Sequence, residues 1–262
     1  MYNVTVKGLV VTAETRNISG VIFVNTSNVS VHLTTTYSSI REYCIGFGIY
    51  NSHSVEIQSS AASNLSVGFF LLHSNNSHIS DITSTNNKWG LYLAYSWDSH
   101  ISRAIATHNS LMGILLNQTY NIHITNISAA YNDNKGIFLQ SGRNVFINNT
   151  TLTHNKENGI SVHYMNNVSI ISTVVAQNTW TGIVLYRTND TKITNTTSTL
   201  NGWNGGEITN AQILIIISTQ TQIYNSSFSN VNAATNATTA NPNSLPAIFV
   251  YYCTTKKYTN KL

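Results

Sequence analysis

The chain has 262 residues, only 8% of them charged, and a formal net charge of +4 at pH 7. Much of that charge sits in Lys256, Lys257 and Lys261, and the nearly neutral remainder carries no basic stripe interleaved with aromatics, which excludes nucleic-acid binding. Hydrophobic residues make up 42%, yet no apolar run is long enough to span a bilayer.

The first element is the alternation Asn3-Val4-Thr5-Val6, which matches the second strand of a repeating unit whose first strand is missing. A solenoid end normally needs a cap over its open core, so this start predicts a fragment of a longer chain. No charged region followed by an apolar run precedes it, so no signal peptide is expected in the given sequence. Gly20-Val21-Ile22-Phe23 leads to Asn28 and Val29, Gly46 leads through Ile49 to Val55 and Ile57, and Gly68-Phe69-Phe70-Leu71 leads to Asn76 and Ile79. The glycine steps of 26, 22 and 22 place a bulge near Tyr37 to Cys44.

From Gly90 the pattern glycine, apolar, any, apolar recurs every 23 residues, at Gly90, Gly113, Gly136, Gly159 and Gly182. Period-2 alternation fits strands and not helices, and a gapless period of this length marks a solenoid. Eight residues after each glycine stand Asp98, Asn121, Asn144, Asn167 and Asp190, followed by a second short strand and a weaker third. Asn109, Asn132, Asn155, Asn178 and Asn201 close each unit. Asn tolerates the left-handed backbone of a sharp corner, and its amide can hydrogen-bond up and down a stack. Glycine is expected to meet the same backbone demand at the other corner. Short strands that meet their own copies one period later form parallel sheets, with coils about 4.8 Å apart.

After Gly182 the phase loosens. Gln212-Ile213-Leu214-Ile215 takes the glycine slot 30 residues on, which predicts a protruding loop over Gly202 to Thr209. The expected organisation is a parallel β-helix over 1–228, an Asn/Ala/Thr-rich loop or linker over 229–246, and a last strand with a basic tail over 247–262.

These phases resemble the right-handed parallel β-helix repeat family, which includes the NosD-like and right-handed β-helix region proteins. The resemblance covers roughly residues 1 to 228 and implies an all-β, right-handed, single-stranded parallel β-helix of about nine or ten coils of 22–23 residues. It implies no single activity, because the family holds carbohydrate-active enzymes, adhesins and inert spacers alike. The catalytic Asp clusters of its polygalacturonase branch have no match here.

The candidate chemistry is sparse. The nearest approach to a glycosidase acid pair is Asp133 with Glu157, on neighbouring corner loops flanked by Lys135 and Lys156. His78, His100 and His123 fall in one outward column on three consecutive coils, where imidazoles could share a metal ion. Aromatics gather outside the first strand, with Tyr92 and Phe138 in one column and Tyr95 and Tyr164 in the following turn, a face suited to sugar stacking or protein docking. Trp89, Trp180 and Trp203 are expected to staple loops. Cys44 and Cys253 lie about nine coils apart, too far for a disulfide, and a buried thiol is expected at each.

Fifteen Asn-x-Ser/Thr sequons, including outward Asn117 and turn-bound Asn167, suggest N-linked glycans on a secreted or surface protein, or a periplasmic one in a bacterium. The residues favour a non-catalytic extracellular segment of a larger surface protein, a rigid scaffold that recognises glycans or other surface proteins without a cofactor. A polysaccharide lyase or glycosidase and a metal-handling accessory protein remain as alternatives.

Overall fold

The computed structural model describes residues 4–13, 20–32, 34–38, 44–202, 211–229, 248–251 and 254–259. They form a parallel solenoid with no helix, whose strands fall into one sheet of 18 strands and another of 10. Each coil contributes a strand after its glycine, a second strand at a bend, and a third strand in the smaller sheet. In three central coils the first two strands run together as Ile114–Thr125, Ile137–Asn148 and Ile160–Ile171. The third strands are only three residues long, as in Ser128–Ala130 and Thr151–Thr153.

Register follows the sequence period. Ile114, Ile137, Ile160, Ile183 and Ile213 lie one above another, as do Ile124, Ile147, Ile170 and Ile193. All nine are fully buried, and each stabilises the fold by about 1.5–3 kcal/mol relative to exposure. Stacking therefore produces a continuous apolar column rather than a spherical core. Phe47 and Phe69 extend it at the amino-terminal end, their rings stacked with centroids 4.6 Å apart.

In each coil from Gly46 to Gly182, four described residues other than glycine adopt the left-handed conformation that turns the chain. In the Gly136 coil these are Ser141, Asn144, Asn149 and His154, with φ of 57°, 57°, 49° and 57°. Asn121, Asn144 and Asn167 occupy such corners, as expected, and each donates Nδ2 to the residue one coil below, at 2.8, 2.7 and 2.9 Å.

Asn109, Asn132, Asn155 and Asn178 do something else. The left-handed residue is the one before each of them, namely His108, Tyr131, His154 and Gln177. The asparagines themselves are buried. Asn132 Oδ1 accepts the Asn109 N–H at 3.0 Å, and Asn132 Nδ2 donates to Ala106 O at 3.0 Å and Asn155 Oδ1 at 2.9 Å. A buried amide saturated in this way closes a turn that no main-chain pairing reaches.

The glycine expectation also needs correcting. Gly90, Gly113, Gly136, Gly159 and Gly182 are not left-handed; among the described glycines only Gly8 and Gly202 have positive φ. Close approach is the physical reason for the recurrence. A Cβ on Gly113 would lie 2.7 Å from Gly136 O and 2.9 Å from Asn132 Nδ2, so the strand can sit on the asparagine ladder only without a side chain.

Cys44 is buried, with Sγ 3.9 Å from Ser38 Oγ. Cys253, Trp203, residues 203–209 of the expected loop, most of the expected bulge and residues 230–246 of the expected linker lie outside the described residues.

Candidate functional site

Residues two positions after each glycine point outward from the first strand and stack as Tyr92, Leu115, Phe138, Ser161, Val184 and Leu214. An outward column should be wet, yet Leu115, Ser161, Val184 and Leu214 are only 9%, 0%, 8% and 5% exposed. The cover comes from the turn before the glycine. Three steps separate Asn87 from Gly90, but four separate Asn109 from Gly113 and each later asparagine from its glycine up to Asn178. The residues directly before these longer-turn glycines are Met112, Lys135, Asn158 and Thr181.

Three of these four, Lys135, Asn158 and Thr181, line a groove of ≈ 300 Å³ together with Glu157, Trp180, His163, Val184 and Leu214. Val184 and Leu214 of the outward column supply its apolar floor, and the turn residues and His163 supply its polar groups. Apolar floors with a few convergent polar groups are the usual form of ligand sites.

The polar lining is internally neutral. Lys135 Nζ pairs with Glu157 Oε2, their side chains 15% and 20% exposed. Asn134 Nδ2 donates to Glu157 Oε1 at 2.7 Å, and Lys135 Nζ donates to Asn134 Oδ1 at 2.8 Å. The same ammonium lies 5.6 Å from the centre of the Phe138 ring. Burial, and secondarily the positive charge of Lys135, push the His163 imidazole down to about 4. At neutral pH it is uncharged, with one nitrogen donating and the other free to accept. Asn158 Nδ2 donates to Ser161 Oγ at 3.1 Å.

Aromatic rings frame the groove. Trp180 is 47% exposed, so it presents a flat face instead of stapling a loop. His163 meets Phe138 edge-on at 5.0 Å and Tyr186 at 5.4 Å, and Tyr186 meets Tyr164 at 5.4 Å. The Arg187 guanidinium lies 5.6 and 5.4 Å from the Tyr164 and Tyr186 ring centres and forms no ion pair among the described residues.

The residues singled out in the sequence are distributed unevenly about this groove. Phe138 and Tyr164 stand beside it. Tyr92 is half-buried two coils away, with Phe70 at 5.1 Å, and Tyr95 is exposed at a left-handed corner, stacked on His73 at 4.9 Å. Asp133 and Glu157 are not brought together as a pair. Register puts Lys156 over Asp133 and Glu157 over Asn134, so the acids occupy different columns. Asp133 Oδ1 meets Lys156 Nζ at 2.8 Å in solvent, and Glu157 is held by Lys135.

His78, His100 and His123 do form a ladder, with ring centres 6.0 and 4.7 Å apart, continued by Phe146 at 5.6 Å. Burial, then the charges of His123 and His78, lower the His100 pKa. His100 and His123 are within 13° of parallel, which aims their nitrogens side by side rather than at one point. Among the described residues no three His, Cys, Asp or Glu side chains form a group that could hold a metal ion. Sequence reasoning missed His163, Asn158, Val184 and Leu214. The extra residue before each glycine was the signal that could have located them.

The family profile described as "Right handed beta helix region" matches residues 19–164, 67–228 and 112–259, and the chain belongs to that family. A search of curated proteins gives no match. Among solved structures, the chain is similar to the Azotobacter vinelandii mannuronan C-5 epimerase AlgE4 A-module, with a TM-score of 0.72 and 16% identity over 98% of this chain and 78% of that one. It is also similar to the periplasmic alginate epimerase AlgG, with a TM-score of 0.58 and 16% identity over 90% of this chain and 51% of the other. The bacteriophage CBA120 tailspike protein 2 enzymatically active domain gives a TM-score of 0.62 at 12% identity, over 98% of this chain and 43% of that one. The chain thus spans about half the length of these last two. Among the described residues no helix is long and apolar enough to cross a membrane.

Proposed function

We propose that this member of the right-handed β-helix family is a rigid, non-catalytic recognition element that takes a polysaccharide segment into the groove between Trp180 and His163, outside the cell or in a periplasm. The observation that carries the reading is the covered end of the outward column, Val184 and Leu214, where it lines the groove. It gives an apolar floor flanked by an exposed indole, a neutral imidazole and a fixed Lys135–Glu157 pair. Flat rings stack on the apolar faces of sugars, and an amide, an imidazole and a carboxylate offer both donors and acceptors to hydroxyl groups. The neighbours named as epimerases of mannuronan and alginate, one of them periplasmic, support the same ligand class and setting.

Electrophoresis of the full chain through gels containing neutral and uronate polysaccharides tests this. At least one polymer should retard it, and Trp180→Ala should weaken that retardation about tenfold, the loss of roughly 1.4 kcal/mol of stacking. A chain that no polymer retards, or a Trp180→Ala variant retarded like the parent, refutes the reading.

One observation favours a catalytic alternative, a polysaccharide-acting enzyme. His163 is neutral at pH 7 and so is in the proton-accepting form, next to the only acid of the groove. Release of new reducing or unsaturated ends by the parent, lost in His163→Ala, would replace the non-catalytic reading with this one.

A further inference from the structure

We infer that one edge of the solenoid, the corner between its second and third strands, is a row of N-glycan attachment sites at Asn126, Asn149, Asn195 and Asn225. The residues just before them stack in register, Thr125 with Asn148 and Ile171 with Thr194 and Tyr224, so the four asparagines share one column. All four are exposed and left-handed, with φ of 56°, 49°, 51° and 46°.

Composition alone would scatter hydroxyl residues two positions later without regard to the corner residue. The column does not behave that way. Asn126, Asn149, Asn195 and Asn225 are followed by Ser128, Thr151, Thr197 and Ser227. At the other described corners of the same column, Gly8, Ser59, Asp81, Arg103 and Ser172 precede Val10, Ala61, Thr83, Ile105 and Val174, with a single hydroxyl among them. A second comparison comes from the corner between the first and second strands. There Asn76, Asn121 and Asn144 are followed by His78, His123 and Phe146, and only Asn28 and Asn167 by serine. Asparagine and hydroxyl therefore travel together at one corner and not at its neighbour, although the asparagines of both corners are left-handed.

The chemistry suits the position. An oligosaccharyltransferase moves a glycan from a polyprenyl-phosphate-linked oligosaccharide. The amide Nδ2 bonds to sugar C1, the C1–O bond to phosphate breaks, and the amide loses one proton while the lipid phosphate leaves. The modified nitrogen keeps one hydrogen. The ladder bond from Asn149 Nδ2 to Asn126 Oδ1, 2.6 Å, can therefore persist beneath a glycan. The glycans would project from an edge that the groove-bearing face does not share, and the inference does not depend on what that groove binds.

The full chain, secreted through a eukaryotic endoplasmic reticulum, is treated with peptide-N-glycosidase in heavy-oxygen water and mapped by mass spectrometry, which marks each formerly occupied asparagine as labelled aspartate. Label is expected at the four corner positions in excess of Asn28 and Asn167. The mobility shift should shrink when Ser128→Ala, Thr151→Val, Thr197→Val and Ser227→Ala are combined, since the other sequons stay intact. Should the combined variant not fold, Thr151→Val alone should abolish label at Asn149 and spare Asn195. Unlabelled asparagine at all four positions, label no greater there than at Asn28 and Asn167, or label at Asn149 despite Thr151→Val overturns the inference.

Discussion

Replacing Asn132 by alanine removes a side chain that completes a buried turn. Four bonds go: Asn132 Oδ1 accepts the Asn109 N–H at 3.0 Å and Asn109 Nδ2 at 2.9 Å, and Asn132 Nδ2 donates to Ala106 O at 3.0 Å and to Asn155 Oδ1 at 2.9 Å, while Asn109 Nδ2 keeps Ser84 O at 3.3 Å. Asn155 Oδ1 keeps the Asn132 N–H as a partner at 3.1 Å, so two main-chain groups, the Asn109 amide and the Ala106 carbonyl, lose the bonds that matter. Each buried polar group left unsatisfied costs about 1–3 kcal/mol, giving a loss of roughly 2–6 kcal/mol. The matched control is Asn144→Ala in the exposed ladder. Its amide bond at 2.7 Å is replaceable by water, and the main cost is alanine at φ 57°, about 1–2 kcal/mol. Urea unfolding of both variants, followed by far-ultraviolet circular dichroism, gives the two differences directly. Equal losses, or a larger loss at Asn144, would show that the interior ladder is packing filler and not the element that satisfies the turn.

Other outcomes follow from the groove and the glycine column. Because His163 titrates near 4 instead of its ordinary 6.5, the unfolded chain binds its proton first as pH falls. Stability contributed by the neutral imidazole is complete above about pH 6.5 and declines toward pH 4, by an upper bound of about 3 kcal/mol that partial exposure reduces. Urea midpoints measured across that window should fall less steeply in His163→Gln, and an unchanged slope contradicts the assignment. Lys135→Met removes the secondary cause of the depression, so the His163 pKa should rise while staying below 6.5, since burial is the larger cause; an NMR titration in which it falls refutes this. Gly136→Ala places a Cβ 2.8 Å from Gly159 O and should cost several times more than Gly8→Ala, where nothing lies within 4 Å and only the positive φ opposes alanine. Thermal melts that rank the two in the opposite order would restore a conformational role for the recurring glycines.

The fold was legible because a solenoid writes its register into its period. Ile114, Ile137 and Ile160 are 23 apart in sequence and adjacent in the sheet, so no long-range pairing had to be guessed. The asparagines were legible as ladders but not as two kinds of ladder. Nothing in residue type distinguishes Asn144, left-handed and wet, from Asn132, buried and bonded to main chain, because the difference lies in which neighbour takes the corner. Here that neighbour is Tyr131, a residue that propensity would not place at φ 56°. The acid pair failed for a related reason. Proximity in sequence phase put Asp133 and Glu157 one coil and one residue apart, and that single residue sends one carboxylate into solvent and the other into the groove.

The groove arises from the same small arithmetic. The coils from Gly46 to Gly90 run at 22 residues, and the 23rd residue enters the turn before the glycine from Gly113 onward. An insertion inside a strand would flip every following side chain to the other face. Placed in the turn, it leaves the strands in register and instead lifts the backbone above the outward column, where Lys135, Asn158 and Thr181 line the groove. Sheltering the column lets leucine and valine occupy Leu115, Val184 and Leu214, and it strips water from His163 strongly enough to hold it neutral. One residue per coil, repeated in phase, thereby turns the outside of a β-helix from a solvated surface into a site with an apolar floor, polar groups and a perturbed titratable group.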